Sequence, residues 1–141
     1  METLTLRYFN VFGPRMATTG AYATVIGAFL RASAAGKPLP IFGDGEQTRD
    51  FTHVRDVVHA NLLAMDSAIA DACAVNIGRG RSVSVNWIVE RIGGPTEHLP
   101  ARPGEPRHTL ADCSNAQHIL GWGARVSTED GLEELKRFGG L

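Results

Sequence analysis

Two cysteines in 141 residues, Cys73 and Cys113, stand far apart and in no metal or redox spacing. That is too little thiol for a disulfide framework, and it predicts a reduced pair in a cytoplasmic protein. Net charge is also scarce: 14 Lys and Arg against 15 Asp and Glu leave −1. No global field of either sign would recruit nucleic acid or an anionic membrane. The apolar stretches are short and broken by Gly, Arg or Ser, so none is long enough to span a bilayer. The first residues show no basic segment followed by an apolar run, and no secretory signal is expected. The five histidines have no H-x-x-x-H or comparable spacing, so no metal site is expected. Internal repeats, linkers and low-complexity tracts are lacking as well.

What is present is a 43% hydrophobic chain of a length that buries about two-thirds of its unfolded surface, expected to form one α/β domain over residues 1–141. Thr3–Phe9 is rich in β-branched and aromatic residues and reads as a strand. Val25, Ile26, Phe29, Leu30 and Ser33 share a helical face that Gly36 and Pro38 terminate. Leu39–Phe42 and Thr48–Thr52 flank Gly43-Asp44-Gly45, which predicts a hairpin-like turn. Val54, Val58, Leu62, Met65 and Ile69 form a second helical stripe. Ala74–Ile77 reads as a short strand ended by Gly78, and Ser84 as the N-cap of a helix with core face Val85, Ile88, Val89 and Ile92. Glu97–Leu99 reads as a strand. Helices near Ser114–Leu120 and over Thr128–Phe138 close the chain, with Ser127 and Asp130 as cap and partner.

Arg49 shares a strand face with Phe51, and a half-buried guanidinium needs an anion. Its planar fork suits phosphate oxygens; a salt bridge to Asp50, Asp44 or Asp56 satisfies it equally. The RPGEPRH string (102–108) is either a proline-stiffened surface loop or a second anion contact. Asn10 follows the first strand, at the end where ligands of α/β sheets bind, and an Asn there also ties down turns. NIGRG (76–80) lacks the third glycine and helix of a dinucleotide fingerprint and reads as a structural turn. Trp87 and Trp122 read as packing residues.

Taken together, LRYFNVFGPR (Leu6–Arg15) and FGDGEQTRDFTHV (Phe42–Val54) resemble the nucleotide-sugar epimerase/dehydratase family, the extended branch of the short-chain dehydrogenases. That resemblance implies a small mixed α/β domain equivalent to the last Rossmann strands plus the substrate-binding part. It carries Arg49 to the diphosphate of a bound UDP-sugar, Arg102 to a second phosphate contact and Glu105 to the ribose. Arg107 becomes a further phosphate candidate. Asn10 would meet the sugar–diphosphate junction. Ala21, Tyr22 and Val25 would wall the nucleotide base, and Tyr8 and Phe9 would lie against the nicotinamide end of an NAD. Asp50 and His53 would orient and pack, and Asp56 would cap or pair locally.

The same resemblance marks what this sequence does not contain. Family members read G-L-E-T-x-x-L-R-Y-F-N here, so METLTLRYFN enters the pattern midway. The family's chemistry uses a Gly-rich NAD loop and a Tyr-x-x-x-Lys pair. The only tyrosines, Tyr8 and Tyr22, have Phe12 and Ile26 four places on. The expectation is therefore a substrate-binding half without its dinucleotide-binding half, inactive alone and binding no NAD by itself. Three further possibilities stand: a free-standing UDP-sugar-binding module, one half of a split enzyme, and an interaction protein. The uncovered strand 3–9, with Leu4, Leu6 and Tyr8, predicts homo-oligomerisation.

Overall fold

The computed structural model describes residues 3–20, 23–67 and 71–139. Alternating strands and helices arise: β1 (Thr3–Tyr8), β2 (Val11–Phe12), α1 (Val25–Ala34), β3 (Leu39–Phe42), β4 (Thr48–Asp50), β5 (Thr52–His53), α2 (Val54–Met65), β6 (Asp71–Ile77), β7 (Ser82–Ser84), α3 (Val85–Ile92), β8 (Thr96–Leu99), α4 (Ser114–Leu120) and α5 (Thr128–Gly139). Of these, β2, β7 and the break between β4 and β5 go beyond what the patterning predicts. The strands join as four two-stranded ladders. β1–β6, β2–β5 and β3–β8 are parallel, and β4–β7 is antiparallel. Parallel pairs need crossovers, which the helices supply.

Local chemistry fixes the helix starts. Thr24 Oγ1 accepts from Gly27 N, and Ser84 Oγ accepts from Trp87 N, both at 3.1 Å. Ser127 Oγ accepts from Asp130 N at 3.0 Å and donates to the Asp130 carboxylate. These are the side-chain acceptors that orphan helix N–H groups require. Two apolar clusters result. One gathers Phe12, Ile26, Phe29, Ile41, Phe51, Ile88 and Leu132 beneath α1, α3 and α5. The other gathers Val57, Ala60, Val75, Ile77 and Trp122 between the β1–β6 ladder, α2 and α4.

Four expectations change. Gly43 and Gly45 do take positive φ, at 74° and 77°, but no hairpin forms: β3 pairs with β8 and β4 with β7. Pro40 faces the open edge of β3 and has no N–H to give an antiparallel partner. The stripe Val58, Leu62 and Met65 is not the core face of α2. These residues are 53%, 54% and 79% exposed, and Asp56, Val57 and Ala60 turn inward instead. Ile69 lies outside the described residues. Asp56 pairs far from its own helix: its carboxylate accepts from Arg125 N and Val126 N at 3.1 and 3.0 Å. Strand β6 begins at Asp71, three residues before the expected Ala74.

Candidate functional site

A cavity of about 270 Å³ opens where β3, β4, α1 and the 100–108 loop meet. Its wall brings together Asn10, Val25, Arg49, Arg102 and Glu105, five residues drawn from four separate stretches of sequence. Ala21 and Tyr22 lie outside the described residues. Tyr8 and Phe9 do not line it. The Tyr8 hydroxyl instead donates to Asn61 Oδ1 on α2 at 2.9 Å.

Arg49 lies on the floor, only 9% exposed, on the same face as Phe51 as the strand alternation requires. One terminal nitrogen donates to Thr48 O at 2.8 Å, and the other to Glu105 Oε1 at 2.8 Å. None of the carboxylates near in sequence is its partner. Asp50, wholly buried, accepts from the backbone N–H groups of Arg79, Gly80 and Ala111 at 2.7, 2.9 and 3.1 Å. Asp44 takes both Arg107 terminal nitrogens at 2.8 Å. That bidentate pair holds the Asp44 carboxyl down to about 2, and Arg107 does not line the cavity. Arg102 lies with its guanidinium carbon 3.8 Å from the centre of the Phe42 ring, a cation–π contact at the mouth of the cavity. Asn10 adopts φ 33° and donates to Asp50 O at 3.3 Å, so it both ties the turn and faces the cavity.

Sequence reasoning passed over the β3 edge. Leu39 N donates to Pro95 O, just before β8, and Gly43 N to Leu99 O of β8, so alternation turns the polar groups of Pro40 and Phe42 the other way, toward the cavity. Gln47 Nε2 donates to Phe42 O at 2.9 Å. Among the described residues, a carbonyl at Pro40 and an N–H at Phe42 remain, one acceptor and one donor side by side. A strand with an unpaired edge beside an arginine-lined loop is the signal that would have found them.

The NIGRG turn does not form a dinucleotide cradle. In the NIGRG turn the amides of Arg79 and Gly80 are engaged by Asp50, and a side chain on Gly78 would collide with Ala111. The segment leads into strand β7 rather than a helix, so no helix N-terminus faces a phosphate there.

Parallel ladders crossed over by helices, with an arginine-lined cavity beside them, define part of a Rossmann-like α/β protein of the extended short-chain dehydrogenase type. The chain belongs to the NAD dependent epimerase/dehydratase family, whose profile matches residues 1–78, more than half its length. A UDP-N-acetyl-alpha-D-glucosaminuronate decarboxylase of Bacillus cytotoxicus is 35% identical, over 92% of this chain and 43% of that protein. A UDP-glucose 4-epimerase of Mycolicibacterium smegmatis is 34% identical, over 92% of this chain and 42% of that protein. Among solved structures, the UDP-glucose 4-epimerase of Thermotoga maritima with UDP-glucose superposes with a TM-score of 0.89 at 36% identity, over 98% of this chain and 46% of that one. MoeE5 in complex with UDP-glucuronic acid and NAD gives 0.88 at 38%, over 96% and 46%. The chain thus spans less than half the length of these relatives.

Proposed function

We propose that this chain forms the nucleotide side of a UDP-sugar site and takes no part in hydride transfer by itself. One observation carries the reading: buried Arg49 and the exposed loop residues Arg102 and Glu105 converge on a single cavity beside the open edge of β3. Two guanidinium groups match a diphosphate. Glu105 is an acceptor suited to ribose hydroxyls. The Pro40 carbonyl and Phe42 N–H complement the imide edge of a pyrimidine such as uracil, which offers one N–H beside one carbonyl. Asn10 reaches the junction of diphosphate and sugar. The relatives named above include enzymes that act on, or were crystallised with, UDP-sugars. They span epimerases and decarboxylases, so the nucleotide side is common to several reactions and the groups facing the sugar choose between them. For this chain the assigned reaction, within a complete site, is NAD-dependent C4 epimerisation of a UDP-hexose; 4,6-dehydration and 4-reduction are the alternatives. The Tyr-x-x-x-Lys pair and the NAD loop would have to come from elsewhere, in the same polypeptide or another.

Calorimetric titration with UDP, UDP-glucose, UDP-GlcNAc and NAD tests this. Saturable UDP binding at about millimolar or tighter is expected, with no binding of NAD and loss of UDP binding in Arg49→Ala. Absence of UDP binding in the folded wild-type chain at millimolar ligand overturns it.

A second reading has its own support. Among the described residues β1 pairs only with β6, and 49%-exposed Tyr8 adjoins the apolar stripe of α2. That face fits association, either with a second copy or with a separately supplied dinucleotide-binding half.

A further inference from the structure

The loop at 100–108 carries two of the proposed ligand contacts, yet little of the main chain holds it. Its backbone is anchored at its ends: Gly43 N donates to Leu99 O, and Thr48 N donates to Arg107 O. Between those points, among the described residues, the backbone bond is internal, from Glu105 N to Arg102 O. A cleft of about 80 Å³ separates the loop from the Gly43–Gly45 turn, so packing does not press the two together. Pro103 and Pro106 stiffen the loop without giving it donors.

Asp44 and Arg107 bridge that cleft. Two parallel N–H···O bonds of 2.8 Å join them, a geometry that fixes orientation as well as distance. Asp44 is itself anchored, because its Oδ1 accepts from Glu46 N at 3.0 Å and its backbone carbonyl accepts from Asn86 Nδ2 at 3.0 Å. Arg107 stands two residues from Glu105, and its own carbonyl lies 3.5 Å from the Arg49 guanidinium.

We propose that Asp44 and Arg107 are positioning residues: a clasp across the cleft that sets the 100–108 loop so that Arg102 and Glu105 face the ligand. This rests on the nucleotide-sugar reading of the cavity. It differs from a direct phosphate role for Arg107, whose fork is filled by Asp44. It also reverses the sign expected from simple electrostatics. A carboxylate at the rim of an anion site repels the anion, so removing its charge would tighten binding. Loss of a clasp weakens it.

The test compares UDP titrations of the wild type, Asp44→Asn, Arg107→Asp, and the exchanged pair Asp44→Arg with Arg107→Asp. Asn keeps the acceptor for Glu46 N and removes only the ion pair. Asp44→Asn and Arg107→Asp should each weaken UDP binding by about two- to fivefold, the range open to an exposed charged pair, and the exchanged pair should recover most of it. Unchanged or tighter binding in Asp44→Asn overturns the proposal. So does failure of the exchange to rescue Arg107→Asp, since that places Arg107 on the ligand. Amide hydrogen exchange across 100–108 in the ligand-free proteins is the second arm. It should quicken in both single variants and recover in the exchanged pair; equal exchange in wild type and Asp44→Asn overturns the clasp. Should wild-type chain bind no UDP, the nucleotide-sugar reading falls, while this second arm still decides whether the clasp exists.

Discussion

A guanidinium that is 9% exposed must find its anions locally, and Arg49 does so with Glu105, 56 residues away. Spacing along the chain pointed to Asp44, Asp50 and Asp56 because they are near. Each is committed elsewhere, two to backbone amides and one to Arg107. The kind of partner was legible from the chemistry of Arg, but its identity depends on how the loop folds back. His53 makes the same point for a titrating group. It is wholly buried, edge-on to Phe12, and its Nδ1 accepts from Arg55 N at 3.3 Å as the cap of α2. That bond requires a neutral ring protonated on Nε2, which lies 3.7 Å from Glu134 of α5. Burial lowers the His53 pKa from 6.5, more than the nearby Glu134 and Asp56 carboxylates raise it, and Arg55 adds to the lowering. A depressed folded value means stability is fully present above about pH 6.5 and is lost as pH falls below it, because the unfolded chain takes up the proton first. The melting temperature should therefore drop between about pH 6.5 and 5. His53→Asn, with a good capping side chain but no such titration, should melt lower overall with a flatter slope. An equally steep slope in the variant would remove His53 as the cause.

At the scale of elements, the sequence announced most strands and helices, and the caps at Ser84 and Ser127, because periodicity and capping chemistry are local. It misread the Gly43–Gly45 turn, since two glycines permit several chain reversals and only the partners of β3 and β4 choose among them. The turn is shaped to receive α3. A side chain on Gly45 would stand 1.9 Å from the Asn86 amide, which holds Asp44 O and Glu46 Oε1. A side chain on Gly43 would meet Ala101, with Cβ at an ordinary 3.5 Å. Both have positive φ, so both alanine variants carry about 1–2 kcal/mol of backbone strain, but only Gly45→Ala must also break the Asn86 bonds. Urea unfolding should show Gly45→Ala destabilised by about 2–4 kcal/mol and Gly43→Ala by about half that. Equal losses would mean that the approach of α3 does not depend on Gly45.

The whole molecule shows what periodicity leaves undecided. An apolar stripe at helical spacing must be covered, but nothing in the pattern says by what. In α2 the stripe of Val58 and Leu62 looks away from both cores, beside Tyr8 and the edge of β1 that is open among the described residues, while the less apolar face packs inward. Leu4 and Leu6 are partly covered by the second cluster, so the exposed surface centres on α2 and Tyr8 rather than on the strand's leucines. An exposed strand edge flanked by apolar side chains favours pairing with another chain. For the chain as it stands, sedimentation velocity should show mass rising toward a dimer across about the micromolar range. Leu62→Glu, which places a charge in the middle of the stripe and touches neither core cluster, should weaken that association at least about tenfold while leaving the melting temperature nearly unchanged. UDP binding should survive the same substitution, because Arg49, Arg102 and Glu105 line a different cavity. A wild type that remained monomeric at several hundred micromolar (about a hundredfold above the expected midpoint) would leave only a partner of different sequence to cover this face. A Leu62→Glu variant that dimerised as well as wild type would move the contact off α2 and onto the edge of β1.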